Sequence, residues 1–306
     1  MKKKLFILGI GGLTGYTLVK LAKNDFEIYG SYNLRNPKFD FVEEFKLDIS
    51  DTSRVKEILS KIKPDAVINT CATSNVDYCE NHQDEAKKIN IDFVEKLREI
   101  TKSIDTKLVH LSSDSVFDGT KKSPYKEDDV PKPINYYGYT KMIGEKLVLE
   151  NKNNLVIRAS VLYGWLPKTL SQLISSSMKP TNFGQWLINK LNSNEMIKIV
   201  TDEYSSPILA DDFARSILHL INGNYSGIFH SAPPIQITRY DFCVKLAEFL
   251  GINSKLIEPV TTEELGRNVT TGFNKCLDSS KIINGSKFKF LSLDESFRLL
   301  KEQIDK

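Results

Sequence analysis

Tyr137 and Lys141 stand four residues apart in Asn135-Tyr-Tyr-Gly-Tyr-Thr-Lys141, the spacing at which two helical side chains leave one face a turn apart. A phenol held beside an ammonium is a proton-donating device. The cation stabilises the phenolate, so the Tyr pKa falls from roughly 10 toward working pH. Spacing chooses among the three tyrosines here: Tyr136 has Thr140 at i+4 and Tyr139 has Ile143, so only Tyr137 has a lysine. Alone, the pair also fits an exposed contact worth about 0.2–0.5 kcal/mol. A chemical role requires a cofactor loop and polar residues at strand ends elsewhere in the chain.

The loop lies near the N-terminus. Lys4-Leu-Phe-Ile-Leu-Gly9 reads as a short buried strand, followed by Gly9-Ile-Gly11-Gly12-Leu13-Thr14-Gly15 and a helical pattern through Ala22. Strand, glycine turn and helix form the context a phosphate-binding loop requires. Glycines allow the tight turn and close approach to a pyrophosphate, and the free amides of the helix start face the anion. The spacing is Gly9-x-x-Gly12-x-x-Gly15; the last glycine of the usual dinucleotide fingerprint would fall on Thr14. A ligand-free glycine turn is the alternative, and the position after the first strand disfavours it. Phe26–Gly30 reads as the second strand. No Asp or Glu lies between Ser31 and Arg35 to take a ribose 2′-OH. Ser31 and Arg35 suit a 2′-phosphate instead, favouring NADP(H) over NAD(H), with a solvent-facing Arg35 as the other reading.

The alternation continues through Glu44–Ile49, a helix Thr52–Ile62, Ala66–Ala72, a helix around His82–Ile104, and the strand Lys107–Leu111. This is the period of an α/β fold with a Rossmann-type, doubly wound parallel sheet. Ser112-Ser113-Asp114-Ser115-Val-Phe-Asp118-Gly119 follows the last of these strands, at the carboxyl end where ligands of such sheets bind. His110, inside the strand, reads as a packed core histidine. We expect an NAD(P)-binding domain over 1–164 and a smaller C-terminal α/β substrate lobe over 165–306, with part of 197–222 returning to the first domain. Pro, Ser and Thr between Leu166 and Thr181 read as a surface loop or lid. Asp212 is the expected cap of a helix to Ile221.

Composition excludes several classes. With 306 residues, 41% hydrophobic and 26% charged, the chain is ordinary globular protein of one or two domains. A net charge of +3, with Lys and Arg spread along the sequence, argues against nucleic acid. No apolar stretch reaches membrane-span length, and no cleavage pattern follows Leu5–Leu8. Cys71, Cys79, Cys243 and Cys276 form no C-x-x-C, and the histidines are scattered. Reduced cysteines, no metal ligand and a cytoplasmic location are the expectation.

Several motifs together resemble the extended short-chain dehydrogenase/reductases, and within them the dTDP-4-dehydrorhamnose reductases. They are the three glycines, Leu47-Asp48-Ile49, Asn69-Thr-Cys-Ala72, Asn75-Val-Asp77-Tyr-Cys-Glu80, Asn90, Ser112–Gly119, Asn135–Glu145 and Arg158–Gly164, with Asn182-Phe183, Asp202–Pro207 and Leu277–Lys281 further on. The resemblance spans almost the full chain and is dense through Gly164. It implies Ser113, Tyr137 and Lys141 as the catalytic residues. It implies cofactor contacts at Gly9, Gly11, Gly12, Leu13, Thr14, Ser31, Arg35, Asp48, Ile49, Cys71, Ala72, Thr73, Asn90, Tyr137 and Lys141. Substrate contacts follow at Ser113, Asp114, Tyr137, Val161 and Asn182. The expected reaction is NAD(P)H-dependent reduction of the 4-keto group of a nucleotide-activated deoxysugar, by a monomer or homodimer.

In that scheme hydride comes from the nicotinamide. Tyr137 gives a proton to the developing alkoxide, and Lys141 lowers the Tyr137 pKa and binds the nicotinamide ribose. Ser113 supports the carbonyl oxygen. Asp114 either orients a sugar hydroxyl or holds its loop. The departures fall on the substrate wall. Thr271-Gly272 replaces an Arg-Pro, Ser115 a tyrosine and Val161 a tryptophan, with Arg267 and Trp165 as candidate replacements. A 4,6-dehydratase or epimerase is one alternative, although the Asp-Glu of a dehydratase after the active serine is absent. The other is a non-catalytic interaction module like the β subunit of methionine adenosyltransferase.

Overall fold

The computed structural model describes residues 2–172, 182–267 and 269–306. Seven strands build the main sheet: β1 (Lys3–Leu8), β2 (Phe26–Tyr32), β3 (Glu43–Lys46), β4 (Ala66–Asn69), β5 (Lys107–Ser113), β6 (Leu155–Ala159) and β7 (Gly227–Ser231). All neighbours pair in parallel, in the order β3-β2-β1-β4-β5-β6-β7. The order reverses between β1 and β4, which opens a crevice at their carboxyl ends. Register brings the site residues level there. Leu8 lies opposite both Ser31 and Asn69, and Asn69 opposite His110.

Alternation along β1 feeds two cores. Leu5 and Ile7 pack with α1 (Leu13–Ala22) and with residues from Phe213 to Ile221. Phe6 and Leu8 pack with α2 (Thr52–Ile62), α3 (Phe93–Ser103) and Val148 of α4 (Tyr136–Leu149). A third core gathers around Tyr163, Phe242 and Phe297. It holds α5 (Phe183–Asn192), α7 (Arg239–Phe249) and α8 (Leu293–Ile304) with the parallel pair Ile197–Val200 and Ile257–Val260. Tyr204–Ser205 pairs with Ile237–Thr238 on one side and with Asn274–Lys275 on the other. The chain therefore crosses between the lobes more than once. After the second lobe begins, α6 (Ala210–Asn222) packs along α1 and β7 closes the main sheet beside β6.

Local boundaries differ from the sequence expectation. β3 stops at Lys46, so Leu47-Asp48-Ile49 is loop. The expected helix around His82 to Ile104 runs without interruption from Gln83 to Ser103, with a π-helical turn, Lys88–Asp92, between Gln83–Lys87 and α3. Asp212 is not a cap: α6 starts at Ala210 behind Leu209, and Asp212 lies in its first turn. Its carboxylate instead accepts the Leu291 amide at 2.9 Å and pairs with Arg215 at 2.7 Å, docking the segment before α8. Lys168–Ser171 is a short helix within the expected loop. The rest of that loop, 173–181, lies outside the described residues.

Candidate active site

The glycine turn is held by main chain. Gly9 takes φ +87°, a left-handed conformation that suits glycine, and the amides of Gly9 and Ile10 both donate to the Ser31 carbonyl at 2.9 Å. A Cβ on Gly15 would lie 2.3 Å from the Gly9 oxygen, and one on Gly11 2.2 Å from the Arg35 oxygen. Glycine at these places lets α1 and the Arg35 loop close on the end of β1. Gly12 caps α1 without a side-chain hydrogen bond, so the cap itself leaves the first amides of the helix unpaired. A backbone cradle at a helix N-terminus fits a dinucleotide pyrophosphate.

Arg35 is only 8% exposed, and burial lowers its pKa. The solvent-facing reading of this residue is therefore overturned. Ser31 is buried at the end of β2. Asp48 is exposed and accepts the Ser50 amide at 2.9 Å, while Ile49 packs partly against the α2–α3 core.

Beyond β4, the Cys71 amide donates to Asn69 Oδ1 at 3.1 Å, and Ala72 and Thr73 follow. Burial pushes the Cys71 thiol up to about 12. Asn90, in the π-helical turn, accepts the Thr73 amide and donates to the Thr73 carbonyl, each at 2.9 Å, and donates to Thr140 Oγ1 at 3.0 Å. It ties the β4 loop to α4.

Asn135 caps α4 by accepting the Gly138 amide at 2.9 Å. A Cβ on Gly138 would sit 2.0 Å from the Ser115 oxygen. Only glycine lets the helix start rest on the loop after β5, and this rest sets Tyr137 beside Ser113. Burial, then the Asp114 carboxylate, push the Tyr137 phenol above its usual range, while a hydrogen bond with Ser113 pulls it down. The expected depression by Lys141 is thus not what the structure gives. Lys141 is itself buried and is pushed down to about 8 by that burial. Its Nζ lies 3.4 Å from His110 Nε2, and His110 Nδ1 lies 3.4 Å from Asn69 Nδ2. His110 is buried in the strand, as expected, and also faces the lysine.

Asp114 is saturated by hydroxyls. Its Oδ1 accepts Ser113 Oγ at 2.9 Å and Ser115 Oγ at 3.3 Å, and its Oδ2 accepts Ser160 Oγ at 2.9 Å. Val161 is half-buried, and its carbonyl accepts the Ile208 amide. Asn182 caps α5 and also accepts the Gly164 amide at 3.2 Å. Its Nδ2 is buried without a hydrogen-bond partner among the described residues, which leaves a donor for a ligand oxygen.

The departure from the resembled family's Arg-Pro at Thr271-Gly272 has a physical cause. Gly272 takes φ +78°, and a Cβ there would meet the Asp118 oxygen at 2.5 Å. Proline, fixed near −65°, cannot occupy this turn. Arg267 pairs with Glu203 at 2.5 Å and bonds Thr271 Oγ1 at 3.2 Å, so its charge is engaged within the wall. Trp165 packs against the second-lobe core. Sequence reasoning quoted the motifs that hold Asn69 and Ser160 without giving either a site role, and it missed Lys275, whose Nζ donates to Ser115 Oγ at 3.4 Å. Lys275 reaches the site through a turn that leaves no local signal.

Among the described residues no group of three His, Cys, Asp or Glu could hold a metal ion, and no helix is long and apolar enough to cross a membrane.

The model of the RmlD substrate binding domain matches residues 3–301. The chain is 33% identical over 279 residues to a probable low-salt glycan biosynthesis reductase, Agl14, of Haloferax volcanii, covering 90% of each. It is 29% identical to the methionine adenosyltransferase 2 subunit beta of Xenopus tropicalis, over 92% of this chain and 81% of that one. Its structure matches the dTDP-4-dehydrorhamnose reductase of Bacillus anthracis in complex with NADP at a TM-score of 0.84 and 26% identity, covering 98% of this chain and 99% of the other.

Proposed function

The chain belongs to the RmlD substrate binding domain family, an NAD(P)-dependent oxidoreductase family of extended short-chain dehydrogenase/reductase fold, and from that premise we propose that it reduces the 4-keto group of a nucleotide-activated deoxysugar. The observation that carries this reading is Ser113, at the end of β5, set beside the Tyr137 phenol one helical turn before a buried Lys141. NAD(P)H supplies the hydride when bound, and the glycine cradle with Ser31 and Arg35 would hold it; NADP(H) is the favoured form. Ser113 supports the carbonyl oxygen as charge develops on it. Tyr137 enters the reaction protonated, as its raised pKa requires of a general acid, and delivers its proton to the alkoxide. Lys141, one helical turn on, supplies positive charge below its pKa of about 8 and stabilises the phenolate that the transfer leaves. The wall formed by Asp114, Val161 and Asn182 takes the sugar. A cytoplasmic site of action, as monomer or homodimer, completes the proposal.

The relatives named as a methionine adenosyltransferase subunit keep a second reading alive, in which the fold serves a partner protein. The assembled serine, tyrosine and lysine favour the enzyme. NADPH and NADH oxidation at 340 nm with dTDP-4-dehydro-6-deoxy-L-mannose, comparing wild type with Tyr137→Phe, tests the choice. Turnover that falls about 10²–10⁴-fold in the variant, with cofactor binding kept, supports the reductase. A wild type that binds cofactor but reduces neither this nor UDP-linked keto sugars refutes it.

A further inference from the structure

Lys275 is a buried side chain that the fold delivers to the reaction centre, within the field of the Asp114 carboxylate but not in ion-pair contact with a carboxylate among the described residues. Its placement is built in steps. Gly272, left-handed, lies backbone to backbone on Gly119, where a Cβ on Gly119 would meet Gly272 Cα at 2.7 Å. The Asn274 amide then donates to the Gly119 carbonyl at 3.0 Å, and Asn274 Nδ2 donates to the Lys121 carbonyl at 2.7 Å. Asn274–Lys275 pairs as a strand with Tyr204–Ser205. The Lys275 carbonyl accepts Ser160 Oγ at 3.1 Å, the same hydroxyl that bonds Asp114. Both ends of the turn are thus pinned.

The side chain ends at Ser115 Oγ, 3.4 Å away, and Ser115 Oγ lies 3.3 Å from Ser113 Oγ. Ser115 stands where the resembled family has tyrosine, so a small residue has made room for the lysine head. Among the described residues no carboxylate lies within ion-pair distance of Lys275 Nζ, whereas Arg239 and Arg267 share Glu203 at 3.6 and 2.5 Å. Burial lowers the Lys275 pKa, the mark of a cation whose solvation is incomplete.

Two hydrogen-bond steps of 3.3 and 3.4 Å from Ser113 are too few to reach a diphosphate across the sugar, and enough to reach the ring carbon next to the ketone. In a 4-keto-6-deoxyhexose the neighbours of that carbonyl are C3, with a hydroxyl, and C5, with a methyl group and the ring oxygen. The ring oxygen, its lone pairs partly drawn toward the anomeric carbon, is the weaker acceptor, and the C3 hydroxyl is the stronger. We propose that Lys275, aimed through the gap at Ser115, donates to the C3 hydroxyl of the keto sugar and so selects substrates that carry one. This rests on the reductase reading and adds its sugar specificity.

The test compares wild type and Lys275→Met on dTDP-4-dehydro-6-deoxy-L-mannose and on its 3-deoxy analogue, with NADPH affinity as the control for folding. The expected result is a KM for the 3-hydroxy sugar raised at least ten-fold, kcat changed far less, NADPH affinity kept, and the two enzymes equal within about three-fold on the analogue. Equal KM values on the 3-hydroxy sugar, or the same loss on both sugars, overturn the proposal. If NADPH affinity also falls, Lys275→Ala, which likewise removes the donor, replaces Lys275→Met and the same comparison decides. Should wild type reduce neither sugar, calorimetric binding of dTDP-L-rhamnose, which keeps the 3-hydroxyl, separates the two claims. Weaker binding by the variant then sinks the reductase reading alone, and unchanged or absent binding sinks both.

Discussion

At the scale of single residues, the acid and the cation of this site titrate in the reverse of the order their spacing suggests. Tyr137 is raised and Lys141 is pushed down to about 8, each by burial first. Asn69 Oδ1 is committed to the Cys71 amide, so its Nδ2 points at His110 Nδ1 and makes that nitrogen the acceptor. The neutral ring then carries its proton on Nε2, toward Lys141, and disfavours a charged lysine. Glu145 and Cys79 act against this by favouring the ammonium. The sign for activity follows: the ammonium is present below its pKa and is lost as pH rises through it. We expect kcat for keto-sugar reduction to hold level up to about pH 8 and fall above it, while Tyr137 stays protonated. In Lys141→Arg the plateau should extend by more than a pH unit, whatever the loss in absolute rate. A limb that stays in place in the arginine variant would show that another group titrates.

At the scale of elements, the site depends on how closely helices approach the sheet ends. The Gly15 position against the Gly9 carbonyl is the tightest of the contacts on α1, since a Cβ there finds backbone rather than a side chain that can turn away. Gly15→Ala should therefore shift α1 from β1. Expected are a loss of about 1–3 kcal/mol in unfolding free energy, the usual cost of overpacking, and NADPH binding weakened at least ten-fold in a fluorescence titration. Gly223, with only the Tyr225 ring nearby, has a neighbour that can move. Gly223→Ala should leave cofactor affinity unchanged and serves as the control.

At the scale of the whole molecule, two histidines are buried as neutral rings in or beside the main sheet. His110 is held well below its ordinary range by burial and then Lys141; His230 is pushed down to about 3 by burial and then Arg158. His230 Nε2 lies 3.2 Å from Arg158, whose guanidinium forms a buried two-pronged pair with Glu145 at 2.8 and 2.7 Å. For a base whose folded pKa is depressed, the unfolded chain binds the proton first. Stability is full above the unfolded value near 6.5 and is lost as pH falls below it. By pH 5 His230 costs about 2 kcal/mol and His110 acts in the same direction, so Tm should drop between pH 7 and 5, before the carboxylates protonate. His230→Gln should flatten part of that drop, and an equal drop in that variant would assign the acid lability elsewhere.

The sequence by itself determined the parts that repeat a local rule. A buried strand, a glycine turn and a helix are neighbours in the chain, so the nucleotide cradle and the parallel alternation are written in consecutive residues. Tyr137 and Lys141 share one helix, and their relation is set by its pitch. The tertiary structure alone decided what depends on distant segments meeting. The buried state of Arg35 comes from its loop resting on Gly11, and the direction of the Tyr137 shift from the enclosure around its phenol. The return of β7 to the main sheet joins Ile157 to Phe229, far apart in the chain. The loss of Arg-Pro looked like a missing cation. In the folded chain it is a left-handed turn, set by contact with Gly119, that carries a different cation to Ser115. Spacing along a chain fixes geometry only within one element; desolvation and contact across elements are properties of the packed whole.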